Sequence, residues 1–256
     1  VESVVISLVI PAYNEAERLP VTLVEIEDFI KDNPGLVTEV VVVDDSSKDA
    51  TVERAMRWVE RLPLVVERLA HNTGKWGAIR RGIEIAKNDA ILLLDADGSA
   101  SVRELEKIQN LGSWLECKTS VFGSRFMKGS KVEGKSFFRR IISQGYRWYV
   151  KFWYFYGAKL YGINDMQTPF KLIYRSKIRM EMLSVNRFSG DIELAGNITG
   201  FVLNHPVHFV HMAGGSIKPS TITEMAIETA QIGMRLRRER LARNAKRDVK
   251  RKKKDL

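Results

Sequence analysis

The sequence predicts an α/β domain built on a mostly parallel sheet flanked by helices. Three observations carry that prediction. Short β-branched runs alternate with helical patterns over the first hundred residues, and each run ends in a polar, acid-rich or glycine-rich loop. The chain of 256 residues is 45% hydrophobic and 28% charged, which suits one large folded domain or two small ones.

Residues 4–10 form an apolar run that stops at Pro11, the pattern of a buried strand. Asn14 stands where a helix cap is expected, with Glu15 and Glu17 in the first turn, where acids suit the positive end of the helix dipole. Residues 39–43 predict a second buried strand, ended by Asp44, Asp45, Ser46 and Ser47, and residues 49–61 a helix. A strand over 64–67, a helix over 75–86 and a strand over 90–94 follow, the last ended by Asp95-Ala96-Asp97-Gly98. Regular β-α alternation implies parallel pairing with helices on both faces, and ligands bind such sheets beyond the carboxyl ends of the strands. Three loops with ligand-binding chemistry converge at those ends.

After about residue 125 the pattern changes. Residues 137–160 are dense in aromatic side chains, with Arg140, Arg147 and Lys151 interleaved. They predict an amphipathic helix too polar to span a bilayer, lying in a membrane interface; a core helix packed on the sheet is the competing reading. Residues 202–211 read as a late strand and 221–243 as a terminal helix. The expected organisation is one domain over residues 1–234, with a nucleotide-binding half (1–125) and an acceptor-binding half (126–234), then a basic helix or tail over 235–256.

Charge separates that tail from the body. Residues 235–256 hold 12 Lys/Arg and 3 Asp/Glu, whereas residues 1–234 hold 29 and 28. A nearly neutral body argues against a nucleic-acid-binding domain, and the polybasic tail suits an anionic membrane surface. No run of about 18 apolar residues exists, so no membrane-spanning helix is expected, and no secretory signal pattern is present. The chain opens at Val1, which leaves room for an anchor upstream. The single cysteine, Cys117, excludes an internal disulfide and a cysteine-based zinc site, and reads as a buried or half-buried thiol.

Asp95 and Asp97 are two carboxylates one residue apart at a strand end, able to share a divalent ion with a diphosphate. Oxygen donors suit Mg2+ or Mn2+, which would neutralise charge on a departing nucleoside diphosphate. Asp44 and Asp45 can accept hydrogen bonds from a base or ribose, while Ser46 or Ser47 caps the next helix. His71-Asn72-Thr73-Gly74-Lys75 precedes a helix but lacks the glycine pattern of a Walker A loop, which argues against a P-loop kinase or NTPase, and Lys75 is placed to touch a nucleotide. His71, His205, His208 and His211 are spaced for neither a metal cluster nor a catalytic set.

Four segments, Ile10-Pro11-Ala12-Tyr13-Asn14-Glu15, Val43-Asp44-Asp45-Ser46-Ser47, Asn72-Thr73-Gly74-Lys75 and Asp95-Ala96-Asp97-Gly98, taken in order, resemble the inverting family 2 glycosyltransferases of the Rossmann-like GT-A fold. The later half resembles the polyprenyl-phosphate branch, the dolichyl-phosphate mannose synthases and dolichyl-phosphate β-glucosyltransferases. It does so through Gly123-Ser124-Arg125, Phe138-Arg139-Arg140-Ile141-Ile142-Ser143 and Gln167-Thr168-Pro169-Phe170-Lys171-Leu172. The resemblance covers roughly residues 4–220.

The resemblance implies a nucleotide pocket lined by Pro11, Tyr13, Glu15, Asp44, Asp45, Asn72, Lys75, Asp95 and Ala96, with Asp45 binding uracil. It implies metal ligation by Asp95 and Asp97. It implies an acceptor-phosphate site of Arg125, Arg139, Ser143 and Lys218, with Asp95, Asp97, Arg125 and Arg139 carrying the reaction. Arginine forks with added hydroxyl donors suit a phosphate. A phosphate monoester is already largely anionic at neutral pH, with a second pKa near ~6, so direct attack needs no strong base.

The implied reaction transfers a hexose, glucose from UDP-glucose, to polyprenyl (dolichyl) phosphate with inversion, at the cytoplasmic face of a membrane. Alternatives are mannosyl transfer from GDP-mannose or a soluble glycan acceptor. Asp97-Gly98 and Gln167-x-x-Phe170-Lys171 match the glucosyl subgroup, whereas Met166 and Thr168-Pro169 depart from it. Asp191 and Glu193 match an acidic pair of that subgroup, expected to contact sugar or arginines. Binding to nucleic acid through the basic tail is the reading the neutral body disfavours.

Overall fold

The computed structural model describes residues 4–109, 116–134, 144–153, 162–187, 189–211 and 219–252, with residues 109, 219–221 and 246–252 described by their backbone alone. The chain folds into two compact units, residues 1–135 with 162–215, and residues 136–161 with 216–256. The units interleave along the chain.

The first unit holds β1 (Ile6–Ala12), α1 (Leu19–Asp32), β2 (Val37–Asp44), α2 (Thr51–Met56), β3 (Leu64–Arg68), α3 (Lys75–Ile85), β4 (Ala90–Leu93), α4 (Glu104–Gln109), β5 (Ser120–Ser124) and β6 (Lys131–Glu133). It continues with β7 (Lys171–Tyr174), α6 (Gly190–Asn197), β8 (Val202–Pro206) and β9 (His208–Val210). Seven strands form one sheet in the order β3-β2-β1-β4-β7-β5-β8, and β6 pairs with β9 in a small second sheet. The pairs β1–β2, β1–β4, β2–β3 and β5–β8 are parallel, whereas β7 runs antiparallel to both β4 and β5. The sheet is thus mostly parallel, as expected.

Continuous β-branched runs make β1 and β2 because both sheet faces are covered. On one face Leu8, Ile10, Val40, Val42 and Leu92 join Leu19, Leu23, Ile26 and Phe29 of α1 in the main core. Each fully buried side chain of this kind contributes about 1.5–3 kcal/mol. On the other face α3 lies against β1 so closely that a Cβ on Gly82 would overlap Val9 and stand 3.2 Å from Val43. The β1–β4 pairing ends at Val9↔Leu93, while β1–β2 continues to Ala12↔Asp44. Pro11, which has no N–H, sits where one neighbour has already stopped, at the mouth of the sheet.

Several expectations change. Helix α1 starts at Leu19 without a side-chain cap, so Asn14 does not cap it. Asn14 adopts φ 55°, and its Oδ1 accepts a bond from the Lys48 amide instead. Helix α2 spans Thr51–Met56, shorter than 49–61. Neither Ser46 nor Ser47 caps it; the Thr51 amide donates to Asp49 Oδ1. The expected strand over 202–211 is two strands in different sheets, β8 and β9. Cys117 is exposed, in a turn before β5, so the buried-thiol reading is corrected.

The second unit contains α5, over residues 144–153, and α7 (Pro219–Lys252). Tyr146 and Tyr149 hydrogen-bond α7 at Thr229 Oγ1 (2.8 Å) and the Ala226 carbonyl (3.0 Å). Gly233 admits the Trp153 side chain, whose Cβ a new methyl would approach to 3.0 Å. Trp148 and Phe152 lie on the other side of α5, exposed, with Lys151 Nζ 5.9 Å from the Trp148 ring. Of the aromatic helix expected over 137–160, residues 144–153 are described, and they pack through Tyr146, Tyr149 and Trp153 against α7; the rest lies outside the described residues. No described helix is long and apolar enough to cross a membrane.

Candidate active site

Three loops at the carboxyl ends of β1, β2 and β4, with the 72–75 stretch that follows β3, line a cleft of about 440 Å³. The first loop is held by the second. The amides of Asn14, Glu15 and Ala16 donate to Ser47 Oγ (2.9 Å), Thr51 Oγ1 (2.8 Å) and Asp49 Oδ2 (3.1 Å). In the third loop Asp97 Oδ1 accepts the Ser99 amide at 2.9 Å, and the Ala96 carbonyl accepts Thr22 Oγ1 at 2.8 Å. These bonds orient the Asp95-Ala96-Asp97 turn relative to α1.

Pro11, Tyr13, Glu15, Asp45, Asn72, Lys75, Asp95, Ala96 and Asp97 all line the cleft. Asp44 does not. It is fully buried, with Oδ2 accepting the Ser47 amide at 3.1 Å, because it is the last residue of β2 and points beneath the loop. Asp45 is also largely occupied. Its carboxylate accepts the Thr73 amide (2.6 Å), Thr73 Oγ1 (3.0 Å) and the Gly74 amide (2.8 Å), and so ties the 72–74 loop to β2. Gly74, at φ 90°, starts α3 and turns Lys75 into the cleft.

Lys75 Nζ lies 2.5 Å from Asp95 Oδ1. Burial pulls the Lys75 ammonium down, but Asp95, then Asp191 and Asp97, outweigh it and hold the pKa above that of an ordinary lysine. Glu15 moves up as well, first by burial and then by repulsion from Asp97 and Asp95, against the opposing Arg18 pair at 2.5 Å.

The residues expected at the acceptor phosphate divide. Arg139, Ser143 and Lys218 lie outside the described residues. Arg125 is described, and it does not line the cleft. Its guanidinium forks onto buried Asp165, Nε to Oδ2 at 2.7 Å and Nη2 to Oδ1 at 2.9 Å. Burial opposes charge on both partners, yet their mutual attraction wins, raising Arg125 and lowering Asp165. Lys171 Nζ meets Asp191 Oδ1 at 2.6 Å in the interior. Glu193 is buried, and its carboxylate accepts the amides of Ser184 (2.9 Å) and Val185 (2.8 Å) and Ser184 Oγ (3.0 Å). The expected acidic pair therefore splits into a lysine partner and a loop anchor. None of the four histidines lines the cleft; His208 Nε2 lies 2.9 Å from Glu133.

Two residues escaped the sequence reading. Arg187 lines the cleft from the loop after β7, and Asp165 neutralises Arg125 from a distant turn. Both depend on long-range packing. The Glu193 match was the one signal pointing to the first, because that carboxylate anchors the loop carrying Arg187.

The donor set fits a hard divalent cation. Asp95 and Asp97 are half-buried cleft carboxylates on one tight turn, all-oxygen. Among the described residues no group of three or more His, Cys, Asp or Glu could hold a metal. Two carboxylates with water and a diphosphate completing the shell are the usual way Mg2+ is held.

Residues 7–182 match the profile of Glycosyl transferase family 2. The chain is 34% identical over 203 residues to the human protein named dolichyl-phosphate beta-glucosyltransferase, covering 74% of this chain and 61% of that one. It is 28% identical over 252 residues to the Dictyostelium discoideum protein of the same name, covering 92% and 76%. The chain thus spans about three fifths of the length of the human relative. Among solved structures, M. tuberculosis glucosyl-3-phosphoglycerate synthase superposes with TM-score 0.62 at 16% identity, covering 91% of this chain and 80% of that one. That likeness concerns the fold. With a profile match over more than half its length and the strand-end acid pair in the cleft, the chain belongs to Glycosyl transferase family 2.

Proposed function

We propose that this chain is the catalytic part of an inverting transferase that moves glucose from UDP-glucose onto a polyprenyl phosphate. The observation that carries the reading is the Lys75–Asp95–Asp97 constellation in a cleft at the strand ends. The names of the relatives supply the acceptor class.

In this reading Pro11, Tyr13, Glu15, Asp45 and Asn72 hold the nucleoside, and Lys75 and Ala96 border the diphosphate. Asp95 and Asp97 hold Mg2+ or Mn2+, which when bound neutralises charge on the diphosphate. An acceptor phosphate oxygen attacks the anomeric carbon on the face opposite the diphosphate. The new C–O bond forms as the bond to the β-phosphate oxygen breaks, and UDP leaves with that electron pair. The α-linked donor gives a β-linked lipid-phosphate sugar. Arg139, Ser143 and Lys218 orient the acceptor phosphate, whereas the Arg125 charge is held by Asp165.

The same reading places the protein peripherally at the cytoplasmic face of a membrane. Exposed Trp148 and Phe152 suit the headgroup level, and the basic end of α7 suits anionic lipid, at roughly 1 kcal/mol per Lys or Arg near the surface. The test is a radiolabel transfer assay with Mn2+ and a polyprenyl phosphate. Label entering the lipid phase from UDP-glucose supports the reading. Label from GDP-mannose alone overturns the sugar, and UDP binding without lipid label overturns the acceptor.

A further inference from the structure

A second groove, of about 290 Å³, lies between α1 and the end of α2. It is lined by Pro20, Arg54, Arg57, Trp58 and Arg61, and it shares no lining residue with the strand-end cleft. Three of those five residues are arginines and none is acidic. Their spacing of three and then four puts them on one side of a helical coil. The coil continues past α2, because the Trp58 amide donates to the Ala55 carbonyl (3.0 Å) and the Arg61 amide to the Trp58 carbonyl (3.0 Å).

Two of the three guanidiniums are held in place by protein groups. Arg54 Nη1 donates to the Ala16 carbonyl (2.9 Å), and its Nη2 lies 2.9 Å from Glu17 Oε1. Arg61 donates to the buried Glu27 carboxylate through Nε (3.3 Å) and Nη2, and its guanidinium carbon stands 4.2 Å from the centre of the Trp58 ring. Arg57 is exposed, and its side chain has no hydrogen bond or ion pair among the described residues. Three guanidiniums therefore meet two carboxylates. Glu17 is the weaker of the two, since its side chain is 81% exposed and an ion pair in water contributes little. Arg54 Nε, Arg61 Nη1 and the whole Arg57 fork carry donors that no described group takes.

We infer that this groove is a second anion site, for a phosphate group, separate from the strand-end cleft. Guanidinium forks match phosphate oxygens, and forks already braced by Glu27, Trp58 and the Ala16 carbonyl lose little freedom on binding. A phosphate brings up to two charges and three acceptor oxygens, so it competes well with the single exposed Glu17 carboxylate for Arg54. Pro20 and buried Trp58 give the floor an apolar surface for the carbon part of a phosphate ester. A soluble phosphate ester and a lipid headgroup share this chemistry. The site stands whether or not the cleft holds a nucleotide sugar.

The experiment uses the full chain at pH 7 and follows the arginine Nε–H signals by NMR as inorganic phosphate or chloride is added at equal ionic strength. Phosphate should shift the Arg57 and Arg61 signals to saturation, and chloride should not. Arg57→Ala should weaken phosphate at the Arg61 signal about tenfold, Arg57→Glu should abolish saturation, and Arg57→Lys should fall between wild type and Arg57→Ala. UDP affinity with Mn2+ should stay within about twofold of wild type in all three variants. Equal responses to phosphate and chloride, normal saturation in Arg57→Glu, or a parallel loss of UDP and phosphate in Arg57→Ala overturns the inference. Phosphatidylcholine vesicles with and without phosphatidic acid then identify the source. Cosedimentation that requires phosphatidic acid and falls in Arg57→Glu assigns the groove to a headgroup, and phosphate saturation with cosedimentation unchanged in Arg57→Glu assigns it to a soluble ester. Arg57 is exposed, so its variants keep the fold and the test stays valid.

Discussion

Removing Asp165 tests a heavily bonded, buried ion pair of the first unit. Its carboxylate receives two guanidinium bonds from Arg125, at 2.7 and 2.9 Å, and the amides of Arg125 and Gln167, both at 3.2 Å. Asp165 is 3% exposed and the Arg125 side chain 14%. Asp165→Ala leaves a guanidinium with little water and without its bonded counter-charge, Asp191 and Asp95 acting only from further off, a situation that costs about 3–5 kcal/mol. Arg125→Ala should cost less, since the stranded carboxylate can take up a proton. The double variant should cost clearly less than the sum of the singles.

The pH dependence has a definite sign. Asp165 is held below the ordinary carboxylate range, so its contribution is complete above the unfolded value of about 3.9 and is lost as pH falls through the lower folded value. Urea unfolding should therefore give a constant gap between wild type and Asp165→Ala from pH 5 to 8, closing only in acid. A gap under about 1 kcal/mol at pH 7, a gap that closes near pH 6, or additive singles would refute the reasoning.

Asp97→Ala should lower transfer roughly a thousandfold or more and abolish the response to Mn2+; a normal Mn2+ response would remove Asp97 from the metal site. Gly74→Ala should destabilise the fold by about 1–3 kcal/mol, because Gly74 has φ 90° and an Asn186 oxygen 2.6 Å from the new Cβ; wild-type stability in urea would contradict that geometry. Deleting residues 246–256 removes 7 Lys/Arg and 2 Asp, and should weaken binding to anionic vesicles in cosedimentation while leaving neutral vesicles unaffected. Truncating earlier, at residue 235, would also remove Leu236, which is buried, and so confuse charge with folding.

The parts of this protein legible in its sequence are those whose cause is local. Period and branching mark β1 and β2, a short apolar run marks β4, and the strand-end position of Asp95 and Asp97 puts both in the cleft. Asn14 misled because its amide and those of Glu15 and Ala16 are satisfied thirty residues away, so the expected capped helix gives way to a braced loop. The reversal of β7 between β4 and β5 leaves no mark in composition, since a buried strand looks alike in either direction. Arg187 and Asp165 were illegible for the same reason. Their chemistry is common, and only tertiary packing puts one beside the cleft and the other under Arg125.

The bonds between the first two loops bear on how this fold tolerates change. Three successive amides of one loop end on the side chains of Ser47, Thr51 and Asp49 in the next. The first loop takes its shape from the second, which is braced by its own Asp44 and Asp49 bonds. A chimera that takes residues 44–51 from a relative lacking Ser47, Asp49 or Thr51 leaves the amides of residues 14–16 without their acceptors, whereas one that moves residues 13–18 together with 44–51 transplants a closed circuit. The heritable module at this end of the sheet is the pair of loops, and recombination within the family should respect it as a unit.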